Sequence, residues 1–364
     1  MSWLAIAAIV AALLAANVVY LVWYFGWVER QTAGAAYFSR PVDERRALKR
    51  RIRLLSIPTL PLMRLLASGS RSQKGLPGFE YEGVWGPQKV ATPEVFAKAR
   101  AYVPGPDDVF VATQMRCGTT WMQQIVHQVV THGRGTFEPG SVRSHIYTIS
   151  PWIDATHGVS MEAAPLVGQP PVRIIKTHLP VELCPYSPSA KYIYVARHPV
   201  SCFASIVDFN RTMIGPLLPP VAALADWFCS DRMYWLPWAR HVEGYWKWAA
   251  RHDNVLFVHY EDMVRDFGPV LDRITTFLGH SLTPEERAQV IERTSFRYMK
   301  EHEEAFEMAP PSMFSVAAGQ FLASGRERRH EDVTPEIKAR IVDYCRKELA
   351  GAEYPAARFY PDLA

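Results

Sequence analysis

The residues best suited to bind an anion lie in one short stretch, where a strand-like apolar run leads through Gly118, Thr119 and Thr120 into a helical pattern. A helix N-terminus presents unpaired backbone N–H groups and a partial positive charge. Gly118 lets a ligand approach the backbone closely, and the threonines add hydroxyl donors. The stretch is therefore a candidate phosphate cradle, although it lacks the Gly-x-x-x-x-Gly-Lys-Ser/Thr pattern of the common P-loop. Simple capping of the helix by the Thr pair is the alternative that these residues alone leave open.

Strands alternating with helices are predicted around this turn. Four runs rich in Val, Ile and Tyr are continuously apolar, which is typical of strands buried on both faces. The predicted strands are Asp108–Thr113, Val172–Thr177, Lys191–Ala196 and Asn254–His259, and the predicted helices are Thr119–His132, Val200–Phe209, Trp238–His252 and Asp262–Leu278. The alternation predicts an α/β fold with a mainly parallel central sheet flanked by helices. Ligands bind such folds at the carboxyl ends of the strands.

Five short segments follow one another in the order of one known family's motifs. RCGTTW (Arg116–Trp121) resembles the 5′-phosphosulfate loop of the sulfotransferases that use 3′-phosphoadenosine 5′-phosphosulfate (PAPS). KTHLP (Lys176–Pro180) resembles the segment that supplies a catalytic His and a nearby Lys in the cytosolic type. VARHPVSCFAS (Val195–Ser205) resembles the 3′-phosphate motif. YEDM (Tyr260–Met263) and TSF (Thr294–Phe296) complete the set, in the family's order. The resemblance covers roughly Phe79 to the C-terminus and implies the P-loop-like sulfotransferase fold.

The resemblance also implies a reaction. Sulfuryl transfer to a hydroxyl passes through a loose, in-line transition state that needs positioning, charge neutralisation and a base. His178 would be the base, because imidazole accepts a proton near neutral pH. Lys176 would meet charge on the sulfonate or the bridging oxygen. Arg116 stands where the family has Lys and would contact the 5′-phosphate, but a guanidinium cannot donate a proton as Lys can. Cys117 replaces the usual Ser and offers its backbone N–H.

The cofactor-binding residues implied by the resemblance surround the nucleotide. Arg197 and Ser205 would hold the 3′-phosphate, with a structural ion pair and a helix-surface Ser as the alternative. Trp121 would stack on adenine, with Phe296 on its other face and Thr294 and Tyr260 nearby. The full predicted set is Arg116, Cys117, Gly118, Thr119, Thr120, Trp121, Arg197, Ser205, Tyr260, Thr294, Phe296, Gly325 and Arg326. No metal is expected.

The C-terminal part of the predicted cofactor site departs from the family pattern. Gly325 and Thr334 fit, but Ala323 and Ser324 stand where the family has Arg-Lys, and the Gly-Asp-Trp that follows is missing. The 3′-phosphate could be met instead by Arg326, Arg328 or Arg329.

Charge is distributed unevenly along the 364 residues. The net charge is +4 and the pI about 8.7, values that on their own are compatible with binding nucleic acid or an anionic membrane. Residues 1–74 carry eleven Lys and Arg against three acidic residues, a net charge of +8, and the remaining 290 residues carry −4. Nucleic acid is therefore not an expected partner. Five cysteines without a CxxC pair indicate neither a disulfide framework nor a zinc cluster and favour a reducing compartment.

The N-terminal segment is predicted to anchor the chain in a membrane. Trp3–Val28 has no charged residue, and as a helix it can span the roughly 30 Å hydrocarbon core of a bilayer. We interpret residues 1–30 as a transmembrane anchor; a cleavable signal peptide and a buried core helix are the alternatives. Because the Lys and Arg follow the apolar run, the sequence predicts a single-pass membrane protein whose catalytic domain faces the cytoplasm.

Two further domains are predicted: residues 31–77 form a basic juxtamembrane segment and linker, and residues 78–364 form the sulfotransferase domain. Within the first, Asp43–Ala67 mixes Leu and Ile with Arg. This stretch would either lie along anionic headgroups or form a solvated linker helix.

The acceptor is predicted to be small and hydrophobic or lipid-like. Phe137–Pro171 and Met213–Tyr245 lie between the motifs, and the second is rich in Leu, Pro, Trp and Tyr, which favours an apolar pocket or a membrane-facing surface over core packing. Two alternatives stay open. A membrane-tethered, non-catalytic nucleotide-binding protein would keep the phosphate motifs and lose the base, and a Golgi-type carbohydrate sulfotransferase would have a lumenal body.

Overall fold

A four-stranded parallel sheet forms the centre of the protein. The computed structural model describes residues 2–62, 75–137, 140, 143–310 and 333–364. The sheet has the order β4-β3-β5-β6, and its strands are β3 (Asp108–Thr113), β4 (Arg173–Thr177), β5 (Lys191–Ala196) and β6 (Val255–His259). A hairpin of β1 (Gly78–Tyr81) and β2 (Val84–Pro87) precedes it. The predicted α/β fold with a mainly parallel sheet is confirmed.

Helices cover both faces of this sheet. After α1 (Trp3–Thr32) and α2 (Val42–Ser56), the helices of the body are α3 (Pro93–Arg100), α4 (Thr119–Val130), α5 (Pro199–Ile214), α6 (Val221–Phe228), α7 (Trp238–Arg251), α8 (Tyr260–Arg265), α9 (Phe267–Leu278), α10 (Pro284–Thr294), α11 (Phe296–Glu301), α12 (Pro335–Glu348) and α13 (Ala356–Phe359). Alternate residues of β3 enter different cores: Val109 and Val111 join one hydrophobic cluster, Phe110 and Ala112 the other. Strands buried on both faces need the continuous apolar runs seen in the sequence.

One predicted helix is wrong as a single element. The stretch Asp262–Leu278 is divided between α8 and α9, because Asp266 has an extended backbone with φ −151° and ψ 92°. Asp266 is the N-cap position of α9, and Pro269 falls within its first turn. Proline lacks an N–H, which costs least in the first turn of a helix.

The two N-terminal helices pack against each other. The Tyr20 hydroxyl donates to the Leu55 carbonyl at 2.6 Å, and the Tyr24 hydroxyl donates to the Ile52 carbonyl at 3.3 Å. The part of α1 before Tyr20 is mostly exposed, whereas Val28 is buried. By length and composition α1 can cross a membrane.

The basic helix α2 is attached to the body of the protein. Arg45 is buried and bonds Ser144 and Glu304, Arg46 pairs with Glu304, and Lys49 pairs with Glu307. Neither interpretation of the basic segment, headgroup-bound or solvated, includes these contacts. They arise from residues more than 90 positions away in the sequence.

Candidate active site

Four strand ends bring the predicted site residues to one edge of the sheet. The loop 114–118 leaves β3, His178 follows β4, Arg197 follows β5 and Tyr260 follows β6. Because the four strands are parallel neighbours, their carboxyl ends lie side by side. This edge is where α/β folds bind their ligands.

The loop after β3 has the backbone of an anion cradle. Arg116 and Gly118 have left-handed backbones, with φ 64° and 99°. A Cβ on Gly118 would lie 2.8 Å from the Tyr260 ring, too close for any other residue. Gly118 is the N-cap of α4, which has no side-chain cap. The Thr119 hydroxyl instead lies 2.6 Å from the Thr113 hydroxyl, so the capping interpretation of the Thr pair does not describe this turn.

His178 has its proton placed by the fold. Its Nδ1 lies 2.8 Å from the Thr113 carbonyl oxygen, and because a carbonyl only accepts, Nδ1 carries the hydrogen and Nε2 carries the lone pair. The backbone N–H of His178 donates to the Asp154 carboxylate at 3.1 Å. Burial, and then the charge of Lys176, hold the pKa of His178 well below 6.5. The ring is therefore neutral at pH 7 and able to accept a proton.

Lys176 is a buried cation on aromatic partners. Its Nζ donates to the Tyr147 hydroxyl at 2.8 Å and lies 3.4 Å from the centre of the Trp152 ring. Burial lowers its pKa to about 7, with the Arg116 charge adding to this and the Asp154 carboxylate opposing it. An ammonium on an aromatic face is stabilised by the ring quadrupole, which opposes part of the effect of burial.

Arg116 and Arg197 lie together between the loop and α5. The Arg116 Nε donates to the Ser205 hydroxyl at 3.2 Å, and the Arg197 Nη1 donates to the Arg116 carbonyl at 3.1 Å. The Arg197 guanidinium lies 4.5 Å from the centre of the Tyr260 ring. Burial and the neighbouring Arg197 charge lower the pKa of Arg116. Two like charges in partial burial are stabilised by an anion between them.

The predicted adenine-binding residues form one cluster with an exposed neighbour. The Trp121 Nε1 donates to the Thr294 carbonyl at 2.8 Å, and its ring meets Tyr260 edge-on at 5.7 Å. The Thr294 hydroxyl donates to the Val290 carbonyl at 2.7 Å, within its own helix. Phe296, at the start of α11, keeps 43% of its surface exposed. The structure thus brings Trp121, Tyr260 and Thr294 together and leaves Phe296 available to a ligand.

Some predicted residues lie outside the described part of the chain. Gly325 and Arg326, with the neighbouring Ala323 and Ser324, belong to residues 311–332, which the structure does not describe. Cys117, by contrast, is fully buried, and burial raises the pKa of its thiol well above the usual value. Cys117 therefore faces the core and can contribute its backbone to the loop.

Sequence reasoning missed four residues that enclose Lys176 and His178. Tyr147, Trp152 and Asp154 come from the first predicted acceptor wall, and Trp235 comes from the second. The Trp235 ring lies 4.9 Å from the His178 ring, and Trp152 lies 5.2 Å from it. Trp235 has a left-handed backbone with φ 57°, a strained conformation that is common at functional sites. The only signal in the sequence was the position of these residues between the motifs.

The described residues include no group of three or more His, Cys, Asp or Glu arranged to hold a metal ion. The candidate active site offers a neutral imidazole, a lysine and two arginines around a helix N-terminus. This set can activate a hydroxyl and neutralise a polyanion.

Comparison with known proteins matches residues 106–353, more than half of the chain, to a family described as "Sulfotransferase domain". A guinea-pig (Cavia porcellus) 3-alpha-hydroxysteroid sulfotransferase is 30% identical over 251 residues, which is 67% of this chain and 84% of the relative. Human sulfotransferase 1C2 is 28% identical over 218 residues, 58% of this chain and 72% of the relative.

Solved structures show the same fold. A mouse sulfotransferase crystallised with PAP aligns with a TM-score of 0.57 at 21% identity, covering 79% of this chain and 99% of that one. A retinol dehydratase in complex with androsterone and the inactive cofactor PAP aligns with a TM-score of 0.53 at 22% identity, covering 75% and 88%.

Proposed function

The chain belongs to the sulfotransferase family and is a sulfotransferase, and from this premise we propose that it transfers a sulfuryl group from PAPS to a hydroxyl of a small hydrophobic or lipid-like acceptor. The products are a sulfate ester and adenosine 3′,5′-bisphosphate. The observation that carries the proposal is the neutral His178, whose Nε2 lone pair is left unprotonated beside the buried Lys176.

The residues present fit a donor with two separate anionic ends. The Gly118 turn and the start of α4 suit the 5′ end, because the uncapped N–H groups and the dipole at the start of the helix favour an anion. Arg197, with Ser205 on α5, suits the 3′-phosphate. Trp121 suits the adenine ring, and two of the solved neighbours are complexes with PAP.

Each catalytic side chain then has one task. His178 takes the proton of the acceptor hydroxyl on Nε2, and its Nδ1–H bond to Thr113 stabilises the imidazolium that results. Lys176 places a positive charge next to this base, where negative charge grows on the transferred group and on the leaving oxygen. Arg116 would neutralise charge at the 5′-phosphate end, for which its side chain has to leave the Ser205 hydroxyl that its Nε bonds in this structure.

The acceptor proposal follows from the walls around His178. Trp152 and Trp235 flank the imidazole, so the surroundings of the base are apolar and aromatic, which suits a bulky apolar or aromatic alcohol. The guinea-pig relative is named for a hydroxysteroid, and the retinol dehydratase complex contains androsterone. Both are small apolar molecules, which supports this class of acceptor here.

We also propose that α1 spans a membrane once and that the body faces the cytoplasm. The exposed apolar part of α1 runs from Trp3 to Trp23, and its contact with α2 begins at Tyr20. Arg50, Arg51 and Arg53 on α2 are exposed, so basic side chains follow the apolar helix on its C-terminal side. Protease protection of a C-terminal tag tests the orientation in sealed vesicles whose cytoplasmic face is outward. A tag that is protected from the protease would contradict the proposed orientation.

The transfer itself is tested with ³⁵S-labelled PAPS, the purified full chain in detergent, and a panel of sterols, apolar phenols, lipid extracts and soluble sugars. We expect labelled product from apolar alcohols and a loss of about 10²- to 10⁴-fold in His178→Ala. His252→Ala, which changes a histidine at the far end of α7, is the matched control and should keep full activity. Unchanged turnover in His178→Ala, or sulfation of sugars alone, would refute the base and the acceptor class respectively.

A further inference from the structure

The turn between α1 and α2 packs against the loop that carries Tyr147. Gly34 forms a parallel bridge with His157, and the Gly158 N–H donates to the Gly34 carbonyl at 3.0 Å. The segment that matches the family begins at residue 106. The turn Ala33–Pro41, called the N-terminal turn below, therefore lies outside the family domain and yet contacts the loop beside Lys176.

Phe38 is the centre of this contact. Its side chain is fully buried, 4.7 Å from the His145 ring and 5.0 Å from the Tyr147 ring between centres. Tyr37 packs edge-on against Phe38 at 5.3 Å and donates its hydroxyl to the Glu307 carboxylate at 2.8 Å. Aromatic pairs at these distances restrict each other's orientation.

Tyr147 contacts both Phe38 and Lys176. Its hydroxyl accepts from the Lys176 Nζ at 2.8 Å and lies 3.4 Å from the Met308 sulfur. Its ring packs over Phe38 on the side of the N-terminal turn and lies 6.3 Å from Trp152 on the side of the active site. The Tyr147 side chain therefore connects Phe38 of the N-terminal turn to the amine of Lys176.

Arg45 holds the turn in this position. It is 1% exposed and donates to the Phe38 carbonyl at 3.2 Å, to the Ser144 hydroxyl at 2.9 Å and to the Glu304 carbonyl at 2.8 Å. A buried guanidinium that bonds three separate segments fixes them relative to one another. Lys49 adds an ion pair with Glu307.

We propose that the N-terminal turn is a positioning element of the active site, in which Phe38 orients the Tyr147 ring and Tyr147 holds the Lys176 amine for catalysis. Phe38 and Tyr147 are positioning residues, because they act through Lys176. The proposal rests on the proposed function, in which Lys176 stabilises charge during transfer. The ionisable groups that face this amine are Tyr147, Asp154, His157, His178 and Arg116.

The first test uses Phe38→Ala and Phe38→Leu in the full chain. Displacement of a catalytic group by about 1 Å costs up to 10²-fold, so we expect Phe38→Ala to lower kcat by roughly 10- to 100-fold and to leave KM for PAPS within about twofold. Phe38→Leu restores most of the packed volume and should recover most of kcat. A folded Phe38→Ala with wild-type kcat would overturn the proposal.

The second test uses Tyr147→Phe, which keeps the ring and removes only the hydroxyl. Losing this acceptor destabilises the ammonium, so we expect the alkaline limb of kcat/KM to move to lower pH. Tyr186→Phe, which removes a remote exposed hydroxyl bonded to Asn254, is the matched control and should leave the limb in place. An alkaline limb that does not move in Tyr147→Phe would overturn the proposal. This test does not depend on Phe38→Ala and remains decisive if that variant fails to fold.

A third measurement separates this proposal from the proposed function. Acetic anhydride labelling of Lys176 across pH, read by peptide mass spectrometry, reports the titration of the amine without turnover. A lower titration midpoint of Lys176 in Tyr147→Phe supports the contact between Tyr147 and Lys176, whether or not any acceptor is sulfated. The absence of sulfation of every acceptor would overturn the proposed function alone. Wild-type labelling in that variant, with normal transfer by the wild-type enzyme, would overturn the positioning proposal alone.

Discussion

The alkaline pH dependence of transfer should report the protonation of Lys176. A lysine is charged below its pKa, and burial lowers the pKa of this one to about 7. If the charged form is needed, kcat/KM of the free enzyme falls about tenfold for each pH unit above 7. The base requires the opposite state: the pKa of His178 lies well below 6.5, so His178 is already neutral at pH 6.5 and the acid limb lies lower still.

The donor should shift this limb. In the proposed reaction PAPS would bring negative charge next to Lys176, and a nearby anion favours the ammonium. The alkaline limb of kcat, which reports the bound enzyme, should therefore lie at higher pH than the limb of kcat/KM. Initial rates of ³⁵S transfer from pH 5.5 to pH 9.5, at saturating and at limiting PAPS, measure both limbs.

Lys176→Arg is the decisive variant. A guanidinium stays charged across this range, so the alkaline limb near pH 7 should disappear even though the absolute rate falls with the changed geometry. A wild-type kcat/KM that stays flat up to pH 9 would refute the assignment. The same conclusion follows if Lys176→Arg keeps the wild-type limb.

Two other substitutions test the phosphate loop and the attachment of the N-terminal helix. Gly118→Ala places a Cβ 2.8 Å from the Tyr260 ring at a φ of 99° and should weaken PAP binding at least about tenfold by calorimetry. Gly83→Ala, at a φ of 79° with no neighbouring atom within 4 Å, should leave PAP affinity unchanged. Equal effects of the two substitutions on PAP affinity would argue against the importance of the close contact between Gly118 and the Tyr260 ring. Arg45→Met leaves buried carbonyls without their donor and should lower the free energy of unfolding by about 3 kcal/mol or more, as measured by urea unfolding with tryptophan fluorescence in detergent. Arg46→Met, which removes an ion pair whose Arg46 side chain is 58% exposed, should cost less than about 1 kcal/mol, and similar losses in the two variants would contradict the buried role of Arg45.

The fold could be predicted because its strands carry a local signal. β3 and β5 begin and end where the apolar runs do, since strands buried on both faces cannot tolerate polar residues in between. The edge on which His178 and Arg197 lie then follows from parallel pairing. The break at Asp266 could not be predicted, because the helical periodicity continues through it.

The contacts of the N-terminal turn carried no local signal. Phe38 meets Tyr147 across more than a hundred residues of sequence, and such packing leaves no periodic pattern in either segment. Arg45 stands in a run of basic residues and is chemically identical to Arg46, yet one is buried and the other exposed. Only the tertiary structure separates them. Composition and position between the motifs predicted the two acceptor walls as segments. They do not show which residue of a wall lies beside His178, so Trp152 and Trp235 were missed.

For the proposed donor, the local arrangement of cations matters more than the net charge. The residues after position 74 carry a net charge of −4, which gives no general attraction for a polyanion. Folding nevertheless places Arg116, Lys176 and Arg197 at one edge, and burial lowers the pKa of the first two. These cations have therefore lost part of their hydration before any ligand arrives, and an incoming anion replaces it without further reorganisation. Because the attraction is short-ranged and partly buried, added salt screens it less than it screens the exposed arginines of α2.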